Sequence, residues 1–146
     1  MIRAIATFQC PGLPRPDFGP DDDQYTPAGN EVASALSQAL KFSGVEVERD
    51  DPIEGEGGWH VWEEYAERRC HLFLNATEIG TPLCVAWALG ISPVGIFSFL
   101  HRAKNDAAIN ALRTVIEDVL KKTMGCTEIR WWSDDEYQDA LEGKAG

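Results

Sequence analysis

Between Glu46 and Glu67 the chain carries nine carboxylates: Glu46, Glu48, Asp50, Asp51, Glu54, Glu56, Glu63, Glu64 and Glu67. A single cation, Arg49, interrupts them. Two carboxylates held in different surroundings can divide the work of general acid and general base. A long solvated run singles out no such pair, so no catalytic residue is assigned. The run does supply a field of one sign, complementary to lysines and arginines, which speeds association and helps set specificity. Five tryptophans accompany it, at 59, 62, 87, 131 and 132. Adjacent strand residues point to opposite faces. Trp131 and Trp132 therefore cannot enter one core layer together, nor can Trp59 and Trp62. At least one ring of each pair is expected on an outer face, where indoles serve as interface anchors or stacking groups. The candidate partner-binding set is therefore Trp59, Trp62, Trp131 and Trp132 as anchors, with Asp50, Asp51, Glu54, Glu56, Glu63 and Glu64 as an electrostatic rim.

The remaining reactive side chains form no motif. His60 and His71 fall on neighbouring expected strands, and His101 ends an apolar run. Cys10, Cys70, Cys84 and Cys126 show no CxxC spacing, so they read as buried thiols of a reducing compartment. No metal site is assigned, since neither the cysteines nor the histidines have ligand spacing. Cys70 beside His71 is not a thiol–imidazole pair, because the two side chains leave the strand on opposite sides. GxGxxG and GxxxxGK[ST] are both absent, so no nucleotide cofactor is implied.

Net charge bounds the partners. The chain of 146 residues has 24 acidic and 13 basic side chains, a formal charge of −11. Nucleic-acid phosphates and anionic membranes would be repelled, and a basic protein surface is favoured. The N-terminal residues lack an apolar core of signal-peptide length. The most apolar stretch, Pro82 to Leu100, is broken by Gly90, Pro93 and Gly95 and is too short to span a bilayer. A cytoplasmic protein is expected.

The elements that must position these residues follow from periodicity and punctuation. Ile2 to Phe8 predicts a buried strand. Residues 10–25, with four prolines and Asp21-Asp22-Asp23, predict a long exposed loop. Thr26-Pro27 opens a helix that Gly44 closes, and Val45 to Glu48 alternates as a strand. Asp50 to Gly58 reads as an acidic turn. Trp59 to Tyr65, Arg68 to Asn75 and Leu83 to Ile91 read as a three-strand meander, the first two joined by a tight turn at Ala66-Glu67. Helix remains an alternative for Cys84 to Leu89, and Pro93 to His101 fits strand or helix. Asn105 is expected to cap a helix running to about Met124, with Gly125 ending it. Thr127 to Trp132 predicts a last strand, and Ser133 with Glu136 a capping box for a short helix to Leu141. Residues 143–146 are expected to fray. The sum is one α+β domain, a two-layer sandwich with a mixed sheet of five to six strands and two main helices on one face.

Size, acidity, the Trp59-His60-Val61-Trp62 segment and the Ile129-Arg130-Trp131-Trp132-Ser133-Asp134-Asp135-Glu136 ending together resemble the immunity proteins of polymorphic and type VI secreted toxins. The resemblance implies a non-enzymatic cytoplasmic antitoxin that neutralises a basic effector by tight binding. It transfers no site residues, because such proteins share no common site. Two alternatives stay open. One is a small-molecule-binding domain or small enzyme, its pocket walled by the tryptophans and the segment from Leu83 to Leu100. The other is a module that forms a homodimer through an uncovered sheet face.

Overall fold

The computed structural model describes residues 2–16, 29–49, 51–80, 82, 84–95 and 98–143. Asp50, the Thr26-Pro27 helix opening, most of the expected 10–25 loop and the last three residues lie outside them.

Seven strands form one antiparallel sheet in the order β2-β4-β5-β6-β1-β7. They are β1 (Ile5–Gln9), β2 (Glu46–Val47), β3 (Ile53–Gly55), β4 (Gly58–Tyr65), β5 (Arg68–Ile79), β6 (Cys84–Pro93) and β7 (Thr127–Trp132). The fold class is α+β, as the sequence implies. The sheet is wholly antiparallel among the described residues, where a mixed one was expected. The seventh strand, β3, arises inside the expected acidic turn. It pairs with β4 alongside β2, so two short strands share one edge of the sheet. Both hairpins flanking β4 turn through left-handed residues, as two-residue turns matching strand twist require. Gly57 fills one of these positions without strain, whereas Ala66 and Glu67 take φ of 53° and 61° despite their side chains.

Helix α1 (Asn30–Phe42) and helix α2 (Arg102–Asp118) cover one face of the sheet. Their buried residues, among them Leu36, Leu40, Leu112 and Ile116, form one cluster with Leu72, Leu74, Trp87 and Leu89. Helix α2 begins three residues before the expected cap, so Asn105 lies buried within it rather than at its end. A 3-10 turn at Ser98–His101 leads in, and the far end widens into a π turn at Val119–Thr123. No helix among the described residues is long and apolar enough to cross a membrane.

Helix α3 (Asp134–Leu141) folds back onto the opposite face. Ser133 accepts from the Glu136 N–H while the Glu136 carboxylate accepts from the Ser133 N–H, the expected capping box. Tyr137 donates to Thr77 Oγ1 at 2.8 Å, and Gly80 N–H donates to the Ala140 carbonyl. Arg3 grips Glu136 with two bonds of 2.9 and 3.0 Å. That ion pair first, and the Ser133 N–H second, push the Glu136 carboxyl down to about 2.

The cysteines depart from expectation. Gln9 pairs with Thr127 across β1 and β7, which sets Cys10 opposite Cys126. The two form a disulfide, with Cα atoms 4.4 Å apart. Cys70 is a buried free thiol as expected, but Cys84 is free and exposed.

Candidate functional site

The alternation of β4 and β5 divides their side chains between the two faces. Trp59, Val61 and Glu63 point toward α1 and α2, while His60, Trp62 and Glu64 point away. On β5, Cys70, Leu72 and Leu74 go inward, and His71, Phe73 and Asn75 outward. The tight turn at Ala66-Glu67 fixes the register, so Trp62 stands opposite His71 and His60 opposite Phe73. Four rings therefore share the outer face. Trp62 lies 5.6 Å from His60 and 5.0 Å from His71 between ring centroids, and His60 lies 4.7 Å from Phe73. The imidazole centroids are 4.8 Å apart, and His60 Nδ1 is 2.7 Å from His71 Nε2. His60 Nε2 reaches the Gly55 carbonyl at 3.1 Å, tying the pair to β3.

Two glycines shape this patch. A Cβ on Gly58 would strike the Leu74 carbonyl and lie 2.6 Å from the Phe73 ring, so only glycine lets that ring lean across β4. Gly90 stands opposite Phe73 on β6, and a Cβ there would meet nothing within 4 Å. Among the described residues nothing occupies the space immediately above the sheet at that point. All four rings are half-buried.

Carboxylates border the rings. Glu64 is exposed and stands opposite Glu46 across β2, and Glu56 is exposed in the β3 hairpin, whereas Glu54, opposite Trp59, is exposed but leaves β3 on the helical side. Asp51 is exposed just before that hairpin. Arg69, opposite Glu64, is held by Glu48 through bonds of 2.7 and 2.8 Å. Burial first, and the neighbouring His60 second, lower the proton affinity of His71, with Glu56 working the other way.

Three of the residues expected to meet a partner do not reach the surface. Trp59 is in the core, with its ring against Gly29 of the helical layer. Trp132 does lie on the outer face, but it is only 4 % exposed, because α3 turns back over this end of the sheet. Its indole N–H donates to Thr7 Oγ1 at 2.8 Å, and the Arg130 guanidinium lies 3.8 Å from its ring centroid. Glu63 is fully buried, because it continues the inward phase of Trp59 and Val61. Among the described residues neither of its oxygens has a hydrogen-bond partner within ordinary reach, although the Cys70 thiol stands opposite. Burial chiefly pushes its carboxyl up to about 8. The Cys70 thiol opposes that shift, and the charges of Glu64 and Glu48 add to it. Burial, reinforced by Glu63, pushes the Cys70 thiol up to about 12.

Trp131 is half-buried on the helical side, where it donates to Glu117 at 3.3 Å and lies under Arg113. Of the expected anchors, Trp62 alone stands beside the acidic border. His60, His71 and Phe73 join it, none of which was among the expected anchors. The signal for them lay in the placement of the 66–67 turn, which dictates who faces whom.

A further hollow lies elsewhere. It is a polar cleft of about 750 Å³ between α2 and the start of α3, lined by Arg3, Asp106, Asn110, Arg113 and Glu136 among others. Its lining mixes both signs of charge, and Arg3 and Glu136 already satisfy each other, so no reacting pair converges there. Among the described residues no three histidine, cysteine or acidic side chains are grouped to hold a metal ion. The chain matches no protein-family model, no curated protein and no solved structure.

Proposed function

We propose that this chain is a binding protein that docks a basic protein surface against the outer face of β4 and β5. Trp62 would be the anchor, and Asp51, Glu56 and Glu64 the electrostatic border. One observation carries the reading: α3 shields only part of the outer face, leaving the Trp62–His71–His60–Phe73 cluster beside exposed carboxylates. Flat rings offer apolar area at low entropic cost, and arginine stacks on them while pairing with nearby acids. The formal charge of −11 would steer such a partner in. Neutralisation of a basic toxin, as the resemblance to immunity proteins implies, is the specific form we favour. The Cys10–Cys126 disulfide favours an oxidising compartment for it over the cytoplasm.

The test uses an oligoarginine peptide as the probe, with binding followed by fluorescence anisotropy at low salt. Replacing Trp62 by alanine together with Glu56→Lys and Glu64→Lys is expected to weaken binding at least about 30-fold, from the loss of an anchor and the reversal of two charges. Far-ultraviolet circular dichroism should show an unchanged fold. Binding equal to that of the original chain would discard this surface.

A further inference from the structure

What surrounds the two imidazoles assigns their hydrogens. The Gly55 carbonyl can only accept, so His60 Nε2, 3.1 Å away, carries a hydrogen. Neutral His60 then has a bare Nδ1, and His71 Nε2, 2.7 Å from it, must donate. Bonds thus run from His71 to His60 to the main chain of β3. The remaining nitrogen, His71 Nδ1, is the only basic site left on the pair. One added proton can sit there without breaking a bond. A second would have to enter on His60 Nδ1, setting two N–H groups against each other across the same short gap.

We propose that the His60–His71 pair makes docking of a cationic partner sensitive to pH: the neutral pair admits the partner, and the singly protonated pair repels it. The proposal rests on the docking reading above and names its regulation. Among the described residues, the groups facing the pair come from four elements and one turn. β3 gives the apolar Ile53, and the turn after it gives Glu56. β4 gives Trp62 and Glu64. β5 gives Phe73 and Arg69, the latter committed to Glu48. β6 gives the neutral Ser92, opposite His71. Glu56 favours the proton, while partial burial and the second imidazole oppose it. The opposing effects prevail at His71, which therefore holds a proton less readily than an ordinary imidazole and gains its charge only on acidification. The new positive charge then lies in contact with the Trp62 ring, where an arginine of the partner would stack.

The experiment measures anisotropy of a labelled oligoarginine peptide with the full chain at about pH 7.5 and about pH 5.5. A His60→Asn, His71→Gln double variant serves as control. Its amides can replace acceptor and donor but cannot take up a proton. One like charge at the contact is expected to weaken wild-type binding about ten-fold on acidification, a change of about 1.4 kcal/mol. The double variant keeps every carboxylate and should weaken less than about two-fold. An equal loss in both proteins overturns the switch and leaves the docking face standing. Failure of the wild-type chain to bind the peptide at either pH overturns the docking reading, and the switch with it. A nuclear magnetic resonance titration of the His71 ring tests the pairing without any peptide. His60→Asn should move the His71 midpoint, and an unmoved midpoint overturns the pairing.

Discussion

The two ends of the outer sheet face follow one alternation rule and reach opposite outcomes. Around β1, β7 and the adjoining parts of β5 and β6, the outward side chains Thr7, Thr77, Ala86, Ala88 and Trp132 are all buried. Helix α3 covers them, Tyr137 and Trp132 find hydroxyl partners, and a disulfide joins β1 to β7. Around β4 and the first half of β5, the outward rings of His60, Trp62, His71 and Phe73 have no helix above them among the described residues and a border of acids beside them. Strand phase therefore decides which way a ring points. Whether it meets water depends on which later segment folds back over it. The open end also has a fully buried carboxyl directly beneath it, whereas the closed end has the covalent link. The two ends should accordingly answer to different perturbations, the open one to pH and the closed one to reductant.

The sharpest way to break that contrast is at Glu63. Its carboxyl is held up to about 8, against an ordinary value of 4.5, so the folded chain keeps a proton that the unfolded chain sheds. The stabilising effect of that proton is complete below about pH 4.5, declines as pH rises, and is gone above about pH 8. Relative to a Glu63→Gln variant, the wild type should lose at most about 5 kcal/mol across this window. Urea denaturation of both proteins at several pH values measures it. A constant difference between them would show that Glu63 is ionised, and solvated, in the native state.

Next in size is the disulfide. Its cysteines are 116 residues apart in the sequence. Removing both with Cys10→Ser and Cys126→Ser should cost about 4 kcal/mol, chiefly by freeing the unfolded chain. Denaturation of the wild type with and without reductant should reproduce the shift, and it should be no larger at pH 9 than at pH 6. A smaller effect, on the order of 1 kcal/mol, is expected for Trp132→Phe, which keeps most of the ring but strands the Thr7 hydroxyl. Thermal unfolding measures it. Peptide binding at the open end should not change, and a change there would mean the two ends are coupled.

Much of this was legible in the sequence, for identifiable reasons. The meander of β4, β5 and β6 showed in alternation and in the Ala66-Glu67 turn. The Ser133–Glu136 capping box was legible from two residues three apart. Glu63 was misplaced although its phase with Trp59 and Val61 pointed inward, because acidity in a run of acids outweighed periodicity. Strand β3 has only three residues, among glycines and carboxylates that mark a turn, and its pairing depends on β4 rather than on its own composition. The burial of Trp132 depends on how α3 folds back, a tertiary fact that no local pattern contains. The Cys10–Cys126 link follows from β1 pairing with β7, two strands at opposite ends of the chain.

That link has a consequence for how the molecule ages. It closes most of the polypeptide into a covalent ring, from just after the first strand to just before the last. A protease that severs any one peptide bond inside the ring releases no fragment, and the nicked molecule migrates as one species until its cystine is opened.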